Sequence, residues 1–343
     1  MTLSHWDKLI AQVYRSIWGV RDIKNYIIRR IALLIPTFFF LTLMVFALIR
    51  LMPGSVVDQM VVQMTSQQMG SNRTIDVNAV RALVGLDKPF FVQYWGWLTK
   101  LLSGDLGHSY WSNRTVAGDI AKRLPVTFEL GVLAFIIAQA IALPVGVLAA
   151  IRQDSVGDYI VRGIAILGIA VPSYWIATMV VVFPPIWWGW APPERYIPIT
   201  ENFGLNMQQF LIPAAIMGFG MAGGTIRMLR TTMLDVLRQD FVRTAWAKGL
   251  RERVVIFRHV FRNAAIPVIT IVAGQIGVII GGSLLMESIF NIPGMGLLFI
   301  DSVNMRDYPY ITSLNAIFSL VGLCMILLTD LSYAWLDPRI RYQ

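Results

Sequence analysis

Apolar residues in this chain gather into six long runs, at 31–52, 127–151, 160–183, 208–229, 265–286 and 310–336. A hydrocarbon layer about 30 Å thick is crossed by roughly 20 residues of helix rising 1.5 Å each. Each run is long enough. Because backbone groups in lipid must bond within their own segment or close into a barrel, the pattern predicts an all-α membrane protein with six transmembrane helices. Pro36, Pro144, Pro172 and Pro213 fall inside the runs, as do Gly218, Gly220, Gly223 and Gly224. Such residues are tolerated in membranes, where neighbouring helices re-satisfy freed backbone groups and small side chains permit close packing.

The polar intervals predict orientation. Lys and Arg number six in 1–30, two in 152–162 (Arg152, Arg162), nine in 227–262 and two in the tail (Arg339, Arg341). The intervals 184–207 and 287–309 carry one each, Arg195 and Arg306. By the positive-inside rule both termini and the two basic loops are cytoplasmic. The interval 53–126 is long enough to cross regardless of charge. It contains Gly85-Leu86-Asp87-Lys88-Pro89, Trp95, Trp97 and Gly104-Asp105-Leu106-Gly107, which read as turns around short helices. A small periplasmic subdomain is therefore expected between the first two spans. Trp187, Trp188 and Trp190 stand where an outer aromatic belt is expected.

The resulting plan is a cytoplasmic N-terminal segment (1–30), a first span (31–52), the periplasmic subdomain (53–126), a five-span core (127–336) containing a basic cytoplasmic loop (230–264), and a cytoplasmic tail (337–343). Residues 1–30 lack the short apolar core and cleavage site of a secretory signal. They read as a retained segment, in part an amphipathic surface helix.

Composition narrows the chemistry. Charged residues make up 14% of the chain against about a quarter in soluble domains, with 56% hydrophobic residues and a mean hydropathy of +0.61. In a multispanning protein a net charge of +9 marks cytoplasmic loops, and no nucleic-acid partner is implied. Cys324 is the only cysteine, so an intramolecular disulfide or CxxC pair is impossible. The chain has no Gly-Lys pair and hence no GxxxxGK[ST] phosphate loop. His5, His108 and His259 lie outside the runs, and Glu129, Glu287 and Asp330 sit near span ends. Neither a proton relay nor a metal site is expected from such a pattern.

The interval beginning at Asp240 carries the strongest pattern. Phe241, Ala245, Lys248, Val254, Val255, Phe257 and Phe261 alternate with basic positions at roughly helical spacing, and Gly249 would break the stretch into two short helices. Spacing alone is equally compatible with docking into a partner groove and with a basic loop facing anionic lipid. Within the apolar runs, Gln139, Ser173, Thr178 and Gln275 are candidate pathway residues. Glu287 follows Gly281-Gly282-Ser283 and precedes Pro293-Gly294. It is a candidate gate residue or a local cap.

These segments together resemble the permeases of binding-protein-dependent ABC importers of the oligopeptide, dipeptide and nickel family. The resemblance is carried by Tyr26-Ile-Ile-Arg-Arg with Pro36, Pro53-Gly54, Leu86-Asp-Lys-Pro89, Gln93-Tyr94, Gly104-Asp-Leu-Gly107 and Arg123-Leu-Pro125 with Thr127. Arg243-Thr244-Ala245 with Lys248-Gly249, His259 with Arg262-Asn263-Ala264, Glu287 with Phe290, Pro293, Gly294 and Gly296, Arg306-Asp-Tyr-Pro309, and Asp337-Pro-Arg-Ile-Arg341 complete it. Their order holds over about residues 26–343. Ten residues separate Gly249 from Val260 where the general ABC permease loop has about nine, which resembles the peptide and nickel subfamily.

The resemblance implies a type I ABC importer permease architecture in a bacterial or archaeal inner membrane. It implies a coupling helix that meets an ATPase subunit through Arg243, Thr244, Ala245, Lys248, Gly249 and Arg251. The implied partners are a second homologous permease, two ABC ATPase subunits that bind ATP and magnesium, and an extracytoplasmic solute-binding protein. This chain itself would hold no cofactor and catalyse no reaction. The implied cargo is di- or oligopeptides, with nickel chelates, glutathione or oligosaccharides as alternatives. A secondary transporter is less favoured, since neither related halves nor midplane ion-binding groups are visible.

Overall fold

A computed structural model describes residues 20–51, 55–67, 76–193 and 195–336. Expectations for the first 19 residues, Pro53-Gly54 and the tail 337–343 lie outside the described residues. The described chain is helical: α1 (Val20–Leu51), α2 (Val56–Gln67), α3 (Val77–Leu83), α4 (Phe90–Leu102), α5 (Val116–Ile151), α6 (Val156–Ala170), α7 (Ser173–Trp188), α8 (Phe203–Leu237), α9 (Asp240–Ala247), α10 (Glu252–Val254), a π-helical stretch (Val255–Phe261), α11 (Arg262–Ile289), α12 (Met295–Asn304) and α13 (Tyr308–Leu336). Five segments, within α1, α5, α8, α10–α11 and α13, have the length and apolarity to cross a membrane, and the pair α6 and α7 makes a sixth only if it is counted as one bent span.

That bend alters the expected third span. Between α6 and α7 the axis turns by 90°, where a single span over 160–183, perturbed at Pro172, was expected. Proline drives the residue before it out of the α region. Val171 is accordingly extended, with φ −85° and ψ 122°, and Pro172 stands just before α7 without a donor N–H. Pro144 and Pro213, by contrast, are accommodated inside continuous helices.

Two other helices outrun their apolar runs. α5 begins at Val116, 11 residues before the run at 127, and α8 continues to Leu237, eight beyond 229. The loop expected at 230–264 shrinks to a connection that holds α9, because α10 and the π stretch lead without a break into α11.

α5 and α8 form the centre. A Cβ placed on Gly218 would lie 2.8 Å from the Ala134 carbonyl of α5, and one on Gly223 would lie 2.5 Å from the Ala165 carbonyl of α6. Both are closer than real Cβ contacts allow, so glycine is what lets the backbones approach. Around this pair the apolar cluster of Leu130, Ala134, Phe210, Ala214, Met286 and Ile292 closes one half of the bundle. The cluster of Val147, Leu229, Met233, Val255, Ile256 and Val260 closes the other. α11 packs on α8, α5 and α13, while α1 lies outside, against α13.

Polar contacts close both ends. At one end the buried Asp158 of α6 receives Arg230 of α8 through Nε at 2.6 Å and Nη2 at 2.7 Å. Arg162 approaches the same carboxylate at 3.3 Å, and Arg30 of α1 pairs with Asp330 of α13 at 3.1 Å. At the other end α2, α3 and the loop after α4 meet the α12–α13 turn. There the Ser109 hydroxyl donates to Asp307 at 2.6 Å, the Tyr110 N–H donates to it at 3.1 Å, and the Trp111 indole donates to the Met305 carbonyl at 2.9 Å. Burial pushes the Asp307 carboxyl up, and the Ser109 and Tyr110 donors oppose the shift.

The Asp158 lock gives a test. Asp158→Asn should cost on the order of 3 kcal/mol, because it removes a buried carboxylate and leaves a largely buried guanidinium without its charge partner. Asp154→Asn removes only an exposed carboxylate 3.7 Å from Arg162 and should cost less than about 1 kcal/mol. Thermal unfolding of the detergent-purified chain separates the two, and equal midpoints would count against the lock.

Candidate coupling surface and pathway

α9 is a two-turn helix set between the ends of α8 and α10. Asp240 lies in its first turn, where a carboxylate favours the helix N-terminus. The Thr244 hydroxyl donates to the Asp240 carbonyl at 2.9 Å. At its far end the Gly249 N–H reaches the Trp246 carbonyl at 2.9 Å and the Leu250 N–H reaches the Ala245 carbonyl at 3.4 Å. That pair of bonds, with Gly249 at φ +72°, is a Schellman termination, whose left-handed residue is usually glycine. The expected break at Gly249 is thus a defined helix stop. The second short helix expected after it is instead the beginning of the long α10–α11 segment.

Each face of α9 has its own destination. Val242 and Ala245 turn inward and pack with Val236, Met233, Val255, Ile256 and Val260. Ala245, expected at the partner surface, is therefore buried in this chain's own core and positions the helix. Arg243, Thr244, Lys248, Gly249 and Arg251 are exposed, and among the described residues Arg243 pairs with exposed Asp240 at 3.4 Å.

Large apolar side chains share that exposure: Phe241, Trp246 at 45%, Leu250, Val254 and Phe257 at 59%. Trp246 and Leu250 did not stand out in the sequence, where an eight-residue helix gives too short a period to separate two apolar faces. Their signal was an indole and a leucine in an otherwise basic aqueous interval. Exposed apolar side chains that alternate with basic residues make α9 and its flanks a candidate interaction surface.

Inside the bundle, Gln139 of α5 donates through Nε2 to Gln275 Oε1 of α11 at 2.9 Å. Gln275 in turn donates to the Met221 carbonyl at 2.9 Å and to Thr225 Oγ1 at 3.0 Å, both on α8. Two of the four candidate pathway residues are thereby joined into one polar bridge across three helices. Gln139 Oε1 is left without a donor. Ser173 lies in the first turn of α7, beside the bend, and is not part of the bridge.

Glu287 has a structural job. It is fully buried, and its Oε2 accepts the N–H groups of Gly296 at 2.6 Å and Leu297 at 3.2 Å. These are orphan donors at the start of α12. The Thr127 hydroxyl accepts the next such donor, Met295 N–H, at 2.8 Å. A side chain on Gly294 would collide with the Glu287 carboxylate, and one on Gly296 with the Leu284 backbone. Of the two roles open in the sequence, the geometry is that of a cap, with the Pro293-Gly294-x-Gly296 spacing making room for it.

Comparison with known proteins bears on the whole chain. Residues 142–342 match the family described as binding-protein-dependent transport system inner membrane component, and residues 23–131 match its N-terminal companion. A Brucella ovis protein described as a peptide permease is 37% identical over 326 residues, covering 92% of this chain and 99% of its own. The glutathione transport system permease protein GsiC of Pectobacterium atrosepticum is 35% identical, covering 93% and 99%. The dipeptide transport system permease protein DppB of Escherichia coli is 33% identical with the same coverage. In three dimensions, the crystal structure of an amino acid ABC transporter with histidines superposes with a TM-score of 0.51 at 14% identity, over 64% of this chain and 95% of that one. That likeness concerns the fold alone. The chain belongs to the family of inner-membrane components of binding-protein-dependent transport systems, and is an ABC importer permease.

Proposed function

We propose that this permease forms, with a second homologous permease, a membrane pathway for peptides, and that α9 couples the pathway to an ATPase subunit. The exposed set Phe241, Trp246, Leu250 and Phe257, held beside Arg243, Lys248 and Arg251, carries this reading. Apolar anchors would fill a groove on the ATPase while the basic rim fixes orientation. ATP and magnesium would be bound by the ATPase subunits, since this chain has no phosphate-binding loop. The ends bearing α9 and the Arg30–Asp330 pair would face the cytoplasm, in keeping with the positive-inside rule. Helices α2, α3 and α12 would face a solute-binding protein.

Peptide cargo is favoured by the relatives named for peptides and dipeptides. The relative named for glutathione fits the same chemistry, because glutathione is itself peptide-like. Gln139 Oε1 is a buried acceptor with no donor among the described residues, next to the amide of Gln275. Opened to the pathway as the bundle rocks, it would accept from peptide N–H groups without committing to any side chain, which suits varied cargo. Alternating access would rock the bundle as the ATPases close and open.

Two outcomes test this. Trp246→Ala combined with Phe257→Ala should lower co-purification of the ATPase subunits or transport-coupled ATP hydrolysis about tenfold or more, leaving the yield of the permease unchanged. Normal assembly together with normal coupling would sink the docking surface. Gly249→Pro should have the same effect with some loss of yield, since it removes the bond to Trp246 and forbids the positive φ.

In proteoliposomes of the complete transporter, Gln139→Leu should reduce peptide uptake several-fold while ATPase assembly stays intact. Gln275→Leu should in addition lower thermal stability by about 1–3 kcal/mol, because it strands buried polar groups on α5 and α8. Unchanged uptake in Gln139→Leu would remove that residue from the pathway.

A further inference from the structure

The helix α4 lies deeper than its place in a polar interval suggests. The Tyr94 hydroxyl meets the Thr42 hydroxyl at 3.1 Å and the Phe39 carbonyl at 3.3 Å, both on α1. Thr42 and Phe39 are 9 and 12 residues before Leu51, which ends the apolar segment of α1, or roughly 13 and 18 Å along it at 1.5 Å per residue. Tyr94 and Leu98 are buried against Phe46, Leu43 and Phe39 in one cluster. α4 therefore flanks the last half of α1, at hydrocarbon depth. Its other face exposes Phe91 at 66% and Trp95 at 54%, with Val92 and Leu102 beside them.

A cavity of about 550 Å³ opens between α4, the end of α1 and the start of α13. Arg50, Lys88, Lys100 and His108 line it, with Asp105 as its one acid. Arg50 is fixed there: its Nε and Nη2 donate to Gln93 Oε1 at 3.2 and 2.7 Å, and the guanidinium sits 4.6 Å from the Phe46 ring and 4.8 Å from the Tyr308 ring. Its Nη1 is buried without an acceptor. The cavity shares Val92 and Gly96 with the apolar surface formed by Phe91, Trp95 and Thr99. A cationic chamber thus adjoins an apolar face along Val92 and Gly96, and a Cβ on Gly96 would meet nothing within 4 Å.

We propose that this is a binding site for one anionic phospholipid, with its phosphate in the chamber of Arg50 and Lys100 and its acyl chains along Phe91 and Trp95. Charge and depth together select this occupant. A free anion would leave the apolar face uncovered, and a soluble partner would not reach a helix at hydrocarbon depth. Basic residues near a membrane surface contribute about 1 kcal/mol each toward anionic lipid, and long cationic side chains reach headgroups from buried stems. The lipid would fasten α4 to α1 and so steady the helices that meet α12 and α13.

The test uses the complete transporter in nanodiscs of equal phosphatidylglycerol and phosphatidylcholine, followed by native mass spectrometry. One phosphatidylglycerol should be retained about fivefold over phosphatidylcholine, the ratio expected from roughly 1 kcal/mol. Gly96→Leu, which puts a bulky side chain on the edge shared by the chamber and the apolar face, and Lys100→Gln should each abolish that preference while the other subunits still co-purify. Phosphatidylglycerol with brominated chains should quench wild-type tryptophan fluorescence more than that of Trp95→Phe. Equal retention of the two lipids, or retention unchanged in both variants, would overturn the site. Quenching unaffected by Trp95→Phe would show that protein covers the face, and loss of the lipid to millimolar inorganic phosphate would reduce the chamber to a simple anion site. Either result also overturns the proposal.

Discussion

The backbone contact of α8 with α5 and α6 is the constraint on which the rest depends. At Gly218 and Gly223 there is no room for a methyl group, so α8 is held along both neighbours with little freedom to slide between them. The remaining connections to α8 follow from that placement. Met221 and Thr225, between and just beyond the two glycines, receive the Gln275 amide from α11. One turn and more beyond them, Arg230 closes on Asp158. Three residues after α8 ends, α9 begins. The surface proposed to meet the ATPase is thereby joined to the polar bridge in the membrane by a single continuous helix. Under the proposed coupling, a load applied at α9 would pass through the short turn at 238–239 into α8.

α9 is itself fastened from both sides. Its inward residues, Val242 and Ala245, share a core with Val236 on α8 and with Val255, Ile256 and Val260 on the π-helical stretch. A π-helical turn shifts the register of the side chains that follow it. Here the stretch keeps Val255, Ile256 and Val260 buried while Phe257 remains exposed. Displacement of α9 would therefore move α8 and α11 together. These are two of the three helices that the Gln139–Gln275 bridge connects, and the third, α5, is in glycine-mediated contact with α8.

The spans were legible in the sequence because burial in lipid imposes a length on an apolar run, and α1, α5, α8, α11 and α13 obey it. Hydropathy reports only the lipid-facing part of a helix. The polar turns that lengthen α5 to Val116 and α8 to Leu237 consequently looked like loop. It is also blind to direction, so Pro172 appeared as a tolerated perturber in an apolar run when it turns the chain by 90°. At the coupling surface, Gly249 was legible from its chemistry, since a left-handed helix stop selects glycine. Ala245 was not, because a small residue suits an interface and a core equally well. Glu287 was legible as a choice between two roles, and only the positions of the Gly296 and Leu297 N–H groups decided it.

The interval between the first two spans shows the same limit in another form. Its charges and turns mark it as a surface segment, and α2 and α3 with their polar ends fit that description. Within it, however, α4 alternates residues that bury against α1 with residues that face outward and are equally apolar, which is the signature of a helix apolar on more than one side. Such a helix is stable only where both faces meet something other than water. α1 supplies one face through Phe46 and Thr42. The position of Tyr94 against Phe39, well inside the apolar segment of α1, places the other in the hydrocarbon. Arg50 and Lys100, at the edge of that same helix pair, then become the natural boundary between lipid chains and headgroups, and the chamber they line is what that boundary requires.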